Sequence, residues 1–425
     1  MLDIRRIRED PAAVQAALQR RGGAADLGPI LEADSRRRSL LTAVEQLKAE
    51  RNAASEQIAQ VKRSGGDASE QIAAMRAVGD RIKALDDQVR EVEQSVERLL
   101  LELPNLPDAS VPDGQTEEDN VMVREWGAPR EFDFEPRPHW EIGVALDIID
   151  FERAARMSGA MFEVLKGDGA RLRRALIDWM LDVHAREQGY TEISPPLLVN
   201  TDSLTASGQL PKFEENLFRV RDLDLWLSPT SEVQLTNLFR DEILEADQLP
   251  ISVTAHTPCW RWEKVGAGKE SRGMIRQYQF DKVEMYKFVA PETSADELER
   301  LTADAEALYQ RLGIPYRLAL LCAGDLGFAA AKTYDPMAWF PGVGKWMELS
   351  SCSNCLDFQA RRANLRYRPA PRAKPQFLHT LNGSGLAVGR TLACVLENYQ
   401  QADGSVRVPD VLVPYMGGQQ FIAPR

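Results

Sequence analysis

Apolar side chains in the first hundred residues return at alternating intervals of four and three. Leu40, Val44, Leu47, Arg51, Ala54, Ile58 and Val61 form one such run, apolar except at Arg51; Val78, Ile82, Leu85, Val89, Val92, Val96 and Leu99 form a second. Steps of this size keep one seam along one side of a helix. Between the runs stands Ser64-Gly65-Gly66-Asp67, a cluster of turn-forming residues. The pattern predicts two antiparallel helices over roughly residues 33–63 and 68–101, each about 45–50 Å long at the α-helical rise. Helices of that length with little else to pack on make a projecting hairpin. The same heptads also suit a coiled coil between two chains, so the pattern by itself leaves both open.

The periodicity stops at Leu103. From there to Gly114 the chain carries Pro104, Pro107 and Pro112, which excludes regular structure. A domain boundary is expected here, with a helical arm over 1–103 and a second domain over 104–425. Beyond the boundary the patterns are mixed. Ala170–Gln188 reads as a long helix with Leu172, Ala175, Leu176, Trp179, Met180 and Val183 on one face. Asp296–Leu312 reads as another. Leu225–Leu227, Phe280–Phe288, Trp346–Leu349 and the neighbourhood of Phe358 read as strands. Strands and long helices without regular βαβ alternation predict an α+β fold with a mainly antiparallel sheet.

Composition narrows the class. The 425 residues, 44% hydrophobic, suffice for a full core and more than one domain. No run of about 18 apolar residues occurs, so no membrane span is expected. The opening MLDIRRIREDP lacks the apolar centre of a secretory signal. Cys259, Cys322, Cys352, Cys355 and Cys394 are scattered, which does not suggest a disulfide framework. The expectation is a cytoplasmic enzyme. Cys352 and Cys355 have half the spacing of a zinc site, with only His379 nearby as a further ligand, so small buried residues in a strand are the preferred reading. Residues 1–100 hold 17 Lys+Arg and 17 Asp+Glu, so the net charge of −12 falls wholly on residues 101–425. A polyanionic partner is more easily tolerated at the N-terminal end.

The densest chemistry lies between Thr257 and Phe288. Arg261 and Glu263 are two residues apart, which would place both on one face of an extended strand. A glycine-rich loop follows (Gly266, Gly268, Gly273) with Lys269, Arg272 and Arg276. An alternating run then brings Phe280 and Glu284. Such a hairpin offers cations to a polyanion, an aromatic face to a base and a carboxylate to an ammonium group. Those are the needs of an enzyme that binds ATP beside an amino acid. No GxxxxGK[ST] sequence is present, so this is not a P-loop.

This segment resembles motif 2 of the class II aminoacyl-tRNA synthetases, and within them that of the seryl-tRNA synthetases. Asn382-Gly-Ser-Gly-Leu-Ala-Val-Gly-Arg390-Thr-Leu, ending near Glu397–Gln400, is similar to motif 3. Gly169 to Asn200, with Pro196 near its end, is similar to motif 1. Thr230-Ser231-Glu232 and Glu348-Leu-Ser-Ser351-Cys-Ser-Asn354 are also similar to the serine enzymes. The blocks follow the family's order over essentially the whole chain. The resemblance implies an antiparallel catalytic sheet flanked by helices, a homodimer formed through the motif 1 region, and an N-terminal coiled-coil arm that contacts tRNA. Arg36, Arg37, Arg38, Lys62, Arg63, Arg76, Arg81, Lys83 and Arg90 are candidate phosphate contacts on that arm. The implied partners are L-serine and tRNA(Ser), with tRNA(Sec) as a further candidate; the implied cofactors are ATP and Mg²⁺.

Residue roles follow from the same resemblance. Arg261 and Arg390 are the implied catalytic residues, the first on the α-phosphate and serine carboxylate and the second on the γ-phosphate end. Planar guanidinium forks suit both tasks. ATP contacts are expected from Arg261, Trp262, Glu263, Arg276, Gln277, Phe280, Glu348, Leu349, Ser350, Ser351 and Arg390. Glu263 would meet the adenine amino group and Phe280 the ring. Thr230, Ser231, Glu232, Arg261, Glu284, Asn382 and Ser384 would surround serine. Glu348 and Ser351 would hold Mg²⁺ as hard oxygen ligands. The chain departs from the family pattern at Tyr278, usually histidine, at Val265, usually glycine, and at Trp260 and Trp262 beside Arg261. A catalytically silent homologue should lose Arg261, Arg390 or Glu348, and a carrier-protein ligase should lack the arm; this chain keeps all of them.

Overall fold

The structure is a computed structural model and describes residues 1–23, 25–263 and 272–424. Two compact units divide the chain. One comprises residues 2–19 and 23–104; the other comprises Met1, residues 20–22 and residues 105–425.

In the first unit, helix α1 (Gly28–Arg63) and helix α2 (Ser69–Leu101) form an antiparallel pair. Val44 of α1 and Ile82, Val89, Val92 and Val96 of α2 are buried, as the heptads predict. At the end of α2 the buried residue is Leu100, with Leu99 only half-buried. A straight helix turns every 3.6 residues, so its seam drifts off a strict 3.5-residue repeat. The turn between the helices uses Gly65 at φ +79°. Asp67 closes it by accepting from Ser69 N at 2.9 Å and Ser69 Oγ at 2.6 Å. Three of the arginines proposed for phosphate already pair with carboxylates, Arg90 with Asp87 among them. Arg37 and Arg38 both pair with Asp34, which is buried and also holds Arg8 at 3.2 Å.

The second unit is built on one large sheet. Its strands are β1 (Val121–Trp126), β2 (Thr191–Glu192), β3 (Ile251–Trp260), β4 (Gln279–Val289), β5 (Tyr316–Leu320), β6 (Lys332–Phe340), β7 (Lys345–Glu348), β8 (Cys352–Leu356) and β9 (His379–Ala387). They lie in the order β1-β5-β6-β8-β9-β4-β3-β2, with β7 paired to β6. All neighbours are antiparallel except β2 with β3. The α+β class with a mainly antiparallel sheet is therefore observed.

Helix α3 (Asp168–Arg186) buries the predicted face of Leu172, Ala175, Leu176, Trp179, Met180 and Val183. These residues join α6 (Val388–Asn398) in the principal core. Helix α4 (Ser294–Arg311) covers part of β9, β4 and β8 through Leu298, Leu301 and Ala305. The region around Phe358 differs from expectation: it is a helix, α5 (Phe358–Arg362), following strand β8. Gln-Ala-Arg-Arg after Phe358 are helix formers, and Arg361 closes the turn onto Asp357 at 2.7 Å. Near the boundary loop, Arg21 donates to the carbonyls of Asn105, Leu326, Gly327 and Ala330 at 2.7–3.0 Å. All five cysteines are buried free thiols. Among the described residues no group of three His, Cys, Asp or Glu side chains could hold a metal, and no helix is long and apolar enough to cross a membrane.

Candidate active site

Strand alternation builds the floor of the site. Phe280, Lys282 and Glu284 share one face of β4. Their register partners on β3 are Cys259, Thr257 and Ala255, all small, and Glu284 is opposite Ser384 of β9. Glu284 is fully buried. Its Oε2 forms an ion pair with Lys282 and accepts from Thr230 Oγ1 at 3.3 Å. Its Oε1 has no hydrogen-bond partner, and neither has the buried Ser231 hydroxyl. An unpaired buried acceptor costs about 1–3 kcal/mol, so it marks a place where a ligand's donor would complete the site. Glu232 opens the helical turn Glu232–Thr236 and accepts from Gln359 Nε2 at 2.6 Å. Enclosure by the protein, then the nearby Glu284 carboxylate, push its pKa up to about 7. Two carboxylates thus face a single lysine, an arrangement suited to an ammonium group.

The basic side of the site starts where β3 ends. Arg261 lies one residue beyond the strand, not within it, although its N–H still donates to Tyr278 O at 3.0 Å. Its Nε donates to Pro229 O at 3.2 Å, and its guanidinium lies 5.2 Å from the centre of the Phe280 ring. Arg261 also acts on Glu232, lowering that group's pKa against the larger effect of enclosure. Glu263 receives Arg276 at 3.4 Å. Trp262 stacks on Tyr278, with ring centres 4.9 Å apart and planes 7° from parallel, and Phe218 packs edge-on against both. Tyr278 precedes β4, and its ring is occupied by Trp262. Gln277 is buried with its amide on the Glu163 carboxylate. Burial lifts the Glu163 pKa to about 7, against the opposing effect of Arg173. Lys269, Gly266, Gly268 and Val265 lie outside the described residues.

Arg390 gathers the rest. Its Nε donates to Ile275 O at 3.0 Å, its Nη1 donates to Glu348 O at 2.8 Å, and the same nitrogen is 3.5 Å from the Glu348 carboxylate. Within Glu348–Ser351, two residues offer nothing from their side chains. Leu349 packs into the core, with its N–H and C=O engaged by Pro336 and Ala387. Ser350 is buried and donates its hydroxyl to Ser384 O at 2.5 Å. Glu348 and Ser351 remain, and behind them lies Asp335. Burial first and Glu348 second hold the Asp335 carboxyl well above its ordinary range, and Ser351 hydrogen-bonds to it. Its Oδ1 has no partner. These hard oxygens, with one atom unpaired, fit a divalent cation. Asn382 sits two residues before Ser384 on β9, 3.6 Å from the Cys355 thiol.

The predicted residues therefore fall into two neighbouring groups, one around Glu284 and Glu232 and one around Arg390 and Glu348, with Arg261 and Phe280 beside the first. Sequence reasoning passed over Lys282, Asp335, Glu163 and Gln359. Lys282 had a signal, since it stands two residues before Glu284 on the same strand face. The others are brought in from distant segments.

Two family models match this chain. Residues 1–107 match the seryl-tRNA synthetase N-terminal domain, and residues 213–399 match the tRNA synthetase class II core domain for G, H, P, S and T. A serine–tRNA ligase of Roseiflexus sp. (strain RS-1) is 57% identical over 423 residues, covering 99% of each chain. The chain belongs to the serine–tRNA ligase family. Another serine–tRNA ligase, from Geobacillus kaustophilus, is 56% identical over 99% of this chain and the whole of its own. In structure, the chain is similar to a seryl-tRNA synthetase of Pyrococcus horikoshii complexed with ATP: 37% identity, TM-score 0.94 and full coverage of both chains. The match to this family spans hairpin and sheet alike, the feature by which the carrier-protein ligase reading was set aside.

Proposed function

We propose that this chain is a serine–tRNA ligase that activates L-serine with ATP and transfers it to the 3′-terminal adenosine of tRNA(Ser), with tRNA(Sec) as a second acceptor. One observation carries the substrate class. A fully buried carboxylate, Glu284, has one oxygen on Lys282 and Thr230 and the other with no partner, and both it and Arg261 lie within electrostatic reach of Glu232. A small ligand with an ammonium, a hydroxyl and a carboxylate complements that set.

The serine carboxylate attacks the α-phosphorus of ATP, and pyrophosphate leaves. Both reactants are anions, so charge neutralisation and in-line positioning carry the step and no side-chain base is required. Arg261, beside the Glu284 and Glu232 carboxylates, bridges the serine carboxylate and the α-phosphate; its contact with the Pro229 carbonyl holds the fork's position. Arg390 takes the γ-phosphate end. Phe280 and Glu263 receive adenine, and Arg276, Gln277 and Trp262 border it. Thr230, Ser231, Glu232, Glu284, Asn382 and Ser384 enclose the amino acid, the carboxylates taking the ammonium and the hydroxyl. Glu348 and Ser351 would hold Mg²⁺, which neutralises phosphate charge when bound. In the second step the terminal adenosine hydroxyl of tRNA attacks the adenylate carbonyl and AMP leaves. The helical hairpin binds the tRNA, the motif 1 region pairs two chains as a homodimer, and the enzyme works in the cytoplasm. Serine-dependent exchange of pyrophosphate into ATP, followed by charging of total tRNA with labelled serine, tests this reading. No serine-dependent exchange would overturn it.

A further inference from the structure

Gln359 lies outside every block that marks the chemistry in the sequence, yet it is fully buried beside the amino-acid pocket with both ends of its amide occupied. Its Nε2 donates to Glu232 Oε1 at 2.6 Å and to the carbonyl of Ser207 at 3.0 Å. Its Oε1 accepts from Tyr286 Oη at 2.9 Å and from Thr380 Oγ1 at 2.7 Å. The orientation is fixed by what these partners can do. The Ser207 carbonyl only accepts, so the NH₂ end must face it, and the second N–H then meets the ionised Glu232 carboxylate. Reversing the amide would bring three oxygens together without a proton between them. The Tyr286 and Thr380 hydroxyls, which can donate, complete the other end.

We propose that Gln359 is the positioning residue for serine recognition: it clamps Glu232 in the one orientation in which its remaining oxygen faces the substrate, and so sets the selectivity for serine. The argument rests on the ligase reading above. Glu232 stands at the start of a short helical turn and has a glutamate's several rotatable bonds. Immobilising a flexible side chain on binding costs affinity, and holding it in advance removes that cost. A second effect is electrostatic. Glu284, a like charge, would otherwise push Glu232 away, and the Gln359 N–H is the nearby donor that retains it without adding a cation to compete with the ammonium. Tyr286 is opposite Asn382 in the β4–β9 register, and Thr380 is on β9 as well. The clamp is therefore anchored in the same two strands that carry Glu284 and Ser384, so both halves of the pocket share one rigid base.

The full-length enzyme gives the test. Serine-dependent pyrophosphate exchange is measured for wild type, Gln359→Met, Glu232→Gln and the double variant, with KM taken for serine and for ATP. Losing one hydrogen bond to a charged group predicts that Gln359→Met raises the serine KM about tenfold to a hundredfold, with the ATP KM within about twofold of wild type. Because Gln359 acts through Glu232, its replacement in the Glu232→Gln background should change the serine KM by less than about threefold. Equal rises in both KM values, or the full Gln359 effect persisting without the Glu232 carboxylate, would overturn the proposal. Thr380→Val covers the case in which Gln359→Met fails to fold. It loosens the far end of the amide, should raise the serine KM a few-fold, and should lose that effect in the Glu232→Gln background; persistence there overturns the clamp. Absence of serine-dependent exchange in the wild type is a separate failure, which removes the ligase reading before any variant is made.

Discussion

The helical hairpin and the catalytic sheet are organised by opposite rules. In the hairpin, apolar residues meet along one seam and most charges remain in water; Lys48 and Asp86, 3.4 Å apart across the two helices, are both substantially exposed. In the sheet unit, charge is taken inside. Glu284, Lys282, Glu232 and Asp335 sit within a few strands of one another. An exposed pair adds little to stability, whereas a buried carboxylate must be matched or costs several kcal/mol. The sheet unit thus keeps buried polar atoms without a hydrogen-bond partner at its proposed substrate site, Glu284 Oε1 and the Ser231 hydroxyl among them. Recognition of tRNA and activation of serine should accordingly be separable, and the separation can be attacked from either side.

The largest expected effect comes from removing the hairpin. Deletion of residues 36–98 should leave serine-dependent pyrophosphate exchange near the wild-type level and reduce tRNA charging to background. The two assays run side by side on one folded preparation decide it; equal loss in both would make the hairpin a structural support. Next comes the cation at the end of β3. Arg261→Ala should slow adenylate formation by on the order of 10²–10³, the usual effect of losing one transition-state donor. Arg261→Lys should recover little, because a point charge lacks the planar fork. Single-turnover formation of the adenylate measures both, and a near-wild-type rate in either variant takes Arg261 out of this role.

A sharper probe is Glu284→Ala, compared by kcat/KM for serine, alanine and threonine. A site that hydrogen-bonds a hydroxyl can reject its deoxy analogue by as much as about 10⁴–10⁵. The substitution should depress serine most and narrow the gap to alanine. A uniform loss for all three amino acids would move Glu284 to the ammonium or to folding.

The smallest effect is in pH. Glu232 has a pKa raised from about 4.5 to about 7, so between those values the folded protein holds a proton that the unfolded chain has lost. Folding stability from this group is therefore greatest below the unfolded value and declines as pH rises towards 7. An ammonium ligand prefers the ionised form, so the serine KM should fall several-fold from pH 6 to pH 8. Glu232→Gln should flatten that profile. An unchanged profile in the variant would assign the titration to another group.

The two regions also differ in how far the sequence reveals them. The hairpin is almost wholly legible, because each seam residue is specified by neighbours three and four positions away; Leu100 replaced Leu99 where the repeat drifted, and Arg51, placed on the seam by spacing alone, is exposed. Helix α3 was legible for the same reason. The strand ends were less so. Arg261 lies just outside its strand, and Phe358 opens a helix because the Gln-Ala-Arg-Arg that follow it favour one. Within the site, Arg261, Glu284 and Arg390 were visible as members of motifs, and Lys282 was within reach of simple alternation. Gln359 and Asp335 were not, since Gln359 lies 127 residues from Glu232. Nothing in a local window encodes a hydrogen bond of that span.

The contacts of Arg390 have a consequence for nucleotide affinity. Its guanidinium is satisfied by the carbonyls of Ile275 and Glu348 and faces the Glu348 carboxylate, so it rests on an internal oxygen scaffold resembling the one a phosphate presents. If Arg390 takes up the γ-phosphate as proposed, that step is an exchange of partners, and the net gain is the difference between two similar sets of contacts. Affinity for the triphosphate tail should be more modest than a count of its contacts suggests. The compensation is positional: the fork is already held by Ile275 and Glu348 before any nucleotide arrives, and the exchange moves a charge without having to order a side chain.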